Sequence, residues 1–60
     1  SMSPRAFDII VSALIILRTR NRRLSVVSPK ENFRKMMKMS GLDSVVAVFE
    51  DLHEARKEGW

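Results

Sequence analysis

The order of elements between Ser25 and Ala55 limits this chain to very few folds. The stretch SVVSPKENFRKMMKMSGLDSVVAVFEDLHEA alternates short β-branched runs with capped amphipathic segments. Residues 24–28 and 45–49 read as strands, and the segment after each reads as a helix. A β-α-β-α succession sets two parallel strands side by side, joined by a crossover helix. Parallel strands are normally covered on both faces, and a chain of 60 residues has little material for the task. The expected architecture of residues 1–60 is therefore one partial α/β domain, αβαβα, with two parallel strands. Oligomerisation or exchange of elements between chains is expected to complete it.

Local signals place the boundaries. Ser3 is a good N-cap and Pro4 suits the first helical position, where its missing N–H costs nothing. The helix then runs to about Thr19. Phe7, Ile10, Val11, Leu14 and Leu17 share a stripe, with Ile9, Ala13 and Ile16 beside it, an arc wide enough for a helix covered on two sides. Asn21 tolerates the left-handed conformation that ends a helix. In the second helix, the Ser28 hydroxyl is expected to cap the Glu31 amide while the Glu31 carboxylate reaches back to Ser28. Phe33, Met36 and Met37 face inward, and Met39 lies off that stripe as an exposed contact. Gly41 is a left-handed stop that lets Leu42 fold back onto Met37. Asp51 and Glu54 repeat the capping-box spacing, with Leu52 and Ala55 inward. Trp60 is expected to dock on a neighbouring surface.

Composition removes whole classes of function. There is no Cys and a single His, so disulfides and thiolate metal sites are excluded, and His53 cannot hold zinc alone. The only glycines are Gly41 and Gly59, which leaves no phosphate-binding loop. No nucleophile and base stand at a recognisable spacing. The chain is expected not to be an enzyme and to need no cofactor. The apolar run IIVSALIIL is far shorter than the roughly 20 residues that span a bilayer. It is followed by RTRNRR where a signal peptide would need small residues. Cytoplasmic localisation is the expectation, in keeping with the lack of Cys. Ser1-Met2 reads as a cloning scar joined to a start residue or to a chosen domain boundary.

The net charge of +4 is unevenly spread. Arg18, Arg20, Arg22 and Arg23 cluster after the first helix, and Lys30, Arg34, Lys35 and Lys38 lie on the second. Asp43, Glu50, Asp51, Glu54 and Glu58 make the C-terminal end acidic. This polarity favours head-to-tail contacts as readily as nucleic acid. Arg18, Arg20, Arg22 and Arg23 form a candidate anion-binding cluster, which makes a small basic nucleic-acid-binding protein the alternative function. The plainer reading is that these arginines compensate the negative end of a helix. It is preferred because no aromatic residue is interleaved among them for base stacking.

These segments, in this order, resemble the second half of a STAS domain, the fold of anti-sigma-factor antagonists and sulfate-transporter tails. A helix ends in a basic turn, and a strand of the LxVV kind runs into Ser-Pro. A helix then leads to Ser-Gly-Leu-Asp, and a strand ending in Val-Phe leads to an acidic Asp-x-x-Glu-Ala helix. The resemblance implies a non-enzymatic protein-interaction module that regulates its partner by binding. That partner would be a kinase-type anti-sigma factor or a larger signalling or transport assembly. The implied binding surface is Ser3, Pro4, Arg5, Ala6 and Phe7, with Ser28, Pro29 and Lys30 at the next strand end. The family's earlier strands and helix have no counterpart in this sequence. The family's phosphoacceptor position falls on Pro4, which cannot be phosphorylated. Ser3 would serve only with a one-residue slip, so the phosphoswitch is expected to be lost.

Overall fold

Two parallel strands, three α-helices and one 3₁₀ turn make up the computed structural model, which describes residues 3–60. The reading of Ser1 and Met2 lies outside those residues. In chain order the elements are α1 (Pro4–Thr19), β1 (Ser25–Val27), α2 (Glu31–Met39), a 3₁₀ turn (Leu42–Ser44), β2 (Ala47–Phe49) and α3 (Leu52–Lys57). The strands pair in parallel with Ser25 opposite Ala47, Val26 opposite Val48 and Val27 opposite Phe49. The expected α/β class and element order are therefore present.

Both strands are shorter than the sequence implies, and hydrogen bonds show why. The amides of Val45 and Val46 donate to the Leu42 carbonyl at 3.1 and 2.9 Å, which closes the 3₁₀ turn and removes these residues from the ladder. The pairing is bounded by Ala47 donating to the Leu24 carbonyl and Ser28 donating to the Phe49 carbonyl. Leu24 and Ser28 flank β1 without belonging to it.

The helix ends behave as their residues dictate. The Ser3 hydroxyl accepts from the Ala6 amide at 3.1 Å, and Pro4 opens α1. Asn21 has φ 58°, and this left-handed residue lets Arg22 and Asn21 donate to the carbonyls of Leu17 and Arg18. Those paired bonds form the Schellman closure. The same closure ends α3: Gly59 at φ 90° donates to Arg56, and Trp60 donates to Ala55. At Gly41, φ 79°, only the inner bond to Lys38 forms. The Ser40 hydroxyl takes over the outer position, donating to the Met37 carbonyl and accepting from the Leu42 amide.

Three local expectations are corrected. Ser28 does not cap Glu31; α2 starts after Lys30, and the Ser28 hydroxyl accepts from the Lys30 amide at 3.2 Å. Ser28 is held to the strand side because its amide is in the ladder and its carbonyl accepts from Arg34. Glu31 instead sits 3.4 Å from Lys35, one turn on. At α3 the Asp51 carboxylate caps the Glu54 amide as expected, but Glu54 reaches back to the amide of Glu50 and not to that of Asp51. Leu52, expected inward, is 57% exposed.

The core is very small. Among the described residues only Met37, Val46 and Ala55 are buried. Phe33 and Met36 are half-buried, and Met39 is exposed, as its position off the stripe requires. α2 and α3 each approach β2, yet no Cα of α1 comes within 8 Å of a Cα in another helix or strand. The helix with the widest apolar arc is therefore the one with least cover. The chain exposes 4701 Å². A compact monomer of its mass would expose about 4,000 Å².

Candidate functional site

Two surfaces carry chemistry beyond holding the fold. The first is the outer side of α1. None of its residues is buried, and Phe7, Ile9, Ile15 and Ile16 are 38%, 60%, 59% and 53% exposed. At 100° per residue, Arg5, Ile9, Ser12, Ile16 and Thr19 follow the 4-3-4-3 spacing of a coiled-coil seam on the exposed side. Ala6, Ile10, Val11, Ala13, Leu14 and Leu17 form the half-buried opposite side. The expectation of cover on two sides thus meets a helix partly covered on one.

The second surface is a groove of about 540 Å³ between the end of α1 and the start of β2. Its charged lining consists of Arg18, Arg22, Arg23 and Asp43, and its apolar lining includes Leu14, Leu24 and Val45. The left-handed turn at Asn21 positions the arginines, because it reverses the chain immediately after Arg18. Arg20 is exposed but does not line the groove. Among the described residues none of the four arginines has a carboxylate within 4 Å.

Trp60 completes this groove and corrects the sequence reading of the arginine cluster. The Arg23 guanidinium lies over the indole, with its carbon 4.2 Å from the ring centroid. Phe49, the last residue of β2, meets Trp60 edge-on at 6.4 Å between centroids. An aromatic side chain is therefore present among the arginines, delivered by the far end of the chain. The α3 closure directs it there. Trp60 was expected to dock on a neighbouring surface, and no local pattern links it to Arg23.

The surface implied by the STAS resemblance is not drawn together by polar contacts. Ser3, Pro4 and Arg5 are exposed, Ala6 is half-buried and Phe7 is 38% exposed. Pro29 and Lys30 are exposed and Ser28 is half-buried. No hydrogen bond or ion pair among the described residues links residues 3–7 to residues 28–30. The Ser3 hydroxyl is engaged as a helix cap. His53 is exposed on α3, and the described residues hold no cluster of three or more metal-ligating side chains. No helix among them is long and apolar enough to cross a membrane.

These features define a small α/β chain with a parallel strand pair, an apolar helix covered on one side only and a basic groove. Comparison with known proteins gives no matching family model, no matching curated protein and no matching solved structure.

Proposed function

We propose that this chain is a non-enzymatic protein-interaction module whose α1 face is covered by a second copy of itself. The observation that carries the reading is the state of α1: sixteen residues with no buried side chain and no backbone packing against another element. Leaving several large apolar side chains in water is unfavourable by roughly 25 cal/mol per Å². The surface excess of about 700 Å² over a compact monomer is close to the roughly 800 Å² that each partner buries in a standard interface.

The pattern on α1 favours an antiparallel pair. That arrangement sets Ile9 of one copy against Ile16 of the other, with the small Ser12 near the crossing point. A parallel pair would align the two helix dipoles and stack Arg5 on Arg5 in the seam, both unfavourable. Each strand has hydrogen bonds on one edge only, so sheet extension between chains is a further route by which elements could be exchanged.

The STAS-like reading adds an external partner: a kinase-type anti-sigma factor or a larger signalling or transport assembly. It binds at residues 3–7 and 28–30, where Arg5 and Lys30 supply exposed positive charge. In this reading the domain is partial, the phosphoswitch is lost and the activity is binding alone. Sedimentation tests the self-pairing. Ile9→Lys with Ile16→Lys is expected to convert a dimer to a monomer without loss of the strand and α2–α3 signals. A double variant that keeps the wild-type mass would overturn the placement on α1.

A further inference from the structure

Independently of α1, we propose that the arginine-lined groove binds the phosphate backbone of single-stranded nucleic acid. Three guanidiniums, those of Arg18, Arg22 and Arg23, line it against the single carboxylate of Asp43. None of the three is paired with a carboxylate among the described residues. A cluster of unpaired cations raises the local concentration of polyanions, and each phosphate contact releases condensed counterions. The charge would be unremarkable on an open helix end, but here it lines a concavity that also holds an aromatic ring.

Trp60 gives the groove its selectivity. With its carbon 4.2 Å from the indole centroid, the Arg23 guanidinium is held against Trp60 by a cation–π contact. A guanidinium held beside an aromatic ring can donate to phosphate and meet the face of an unstacked base. Leu14, Leu24 and Val45 supply apolar lining for sugar and base. In a duplex the base faces are hidden in the stack, so only unpaired bases can meet the Arg23–Trp60 pair.

The chain has one tryptophan, so its fluorescence reports from the groove itself. The test titrates the full chain with a ten-residue oligothymidylate at 50 and 200 mM salt. Three phosphate contacts at a slope of about 0.7 each weaken binding by about 20-fold over this range. Arg22→Gln removes one contact and reduces that factor to about 7-fold. Arg20→Gln, which removes the same charge outside the groove, keeps the 20-fold dependence. Circular dichroism confirms that both variants are folded. The proposal fails if Trp60 emission does not change at 50 mM salt, or if Arg20→Gln and Arg22→Gln behave alike. Equal binding of a duplex of the same length overturns the single-strand assignment. Displacement of the oligonucleotide by an equal phosphate concentration of pyrophosphate would assign the groove to small anions instead.

Discussion

Arg34 ties the two strands together at one end, and its removal is the sharpest test of how this small fold holds. Its Nη1 donates to the Ser28 carbonyl at 2.8 Å, and its Nη2 lies 3.5 Å from a Glu50 oxygen. Ser28 follows β1 and Glu50 follows β2, so one guanidinium from α2 bridges the C-terminal ends of both strands. The two contacts differ in worth. A charge-assisted hydrogen bond to a part-buried carbonyl contributes about 1.5–3 kcal/mol. The Arg34–Glu50 pair contributes at most about 1 kcal/mol, because the Glu50 side chain is 57% exposed. Arg34→Met, which keeps the apolar stem, is expected to cost about 2 kcal/mol, and Glu50→Gln less than about 0.5 kcal/mol. At about 4–8 °C per kcal/mol for a domain this small, Tm falls by about 8–16 °C in the first case and less than about 4 °C in the second. Thermal unfolding followed by circular dichroism measures both, at fixed protein concentration because association shifts Tm. If Glu50→Gln costs as much as Arg34→Met, the ion pair and not the carbonyl bond joins the strands, and the reasoning is refuted.

Three further outcomes follow from the same structure and are measurable by denaturant unfolding. Met37→Ala empties the largest fully buried position and is expected to cost about 3 kcal/mol, whereas Leu52→Ala, at an exposed site, stays within about 0.5 kcal/mol. Equal costs would mean that the core is elsewhere. Asn21→Gly is expected to be near neutral and Asn21→Val to lose about 1–2 kcal/mol, since a β-branched residue resists the left-handed conformation. A silent Asn21→Val would show that the α1 closure does not hold in solution. Asp51→Ala removes a 2.8 Å cap and should cost about 1 kcal/mol, against a few tenths for Ser28→Ala; the reverse order would restore the capping box expected at Ser28.

Features set by one or two neighbouring residues were legible in the sequence. Ser3 and Pro4 opened α1, while Asn21 and Gly41 each took the left-handed conformation that stops a helix. The β-branched runs located both strands, and the element order implied their parallel pairing. Errors arose where a backbone group had two competing partners. The Ser28 amide and carbonyl were claimed by β2 and Arg34, which delayed α2 to Glu31. The Val45 and Val46 amides went to the 3₁₀ turn, which shortened β2. Leu52 and Ala55 both fit inward helical positions by spacing, but α3 is only six residues long and buries Ala55 alone. The groove was hidden for a different reason. Arg23 and Trp60 are 37 residues apart, and no periodicity encodes a contact between a turn and the far end of the chain.

The most direct test of the central claim, that α1 is an association surface, is the solution mass of the wild-type chain. Light scattering across a concentration series, with circular dichroism on the same samples, is expected to show a folded species of twice 6.9 kDa that dissociates on dilution with loss of helical signal. A fully folded species of 6.9 kDa at every concentration would contradict it, because α1 would then be stable without a cover.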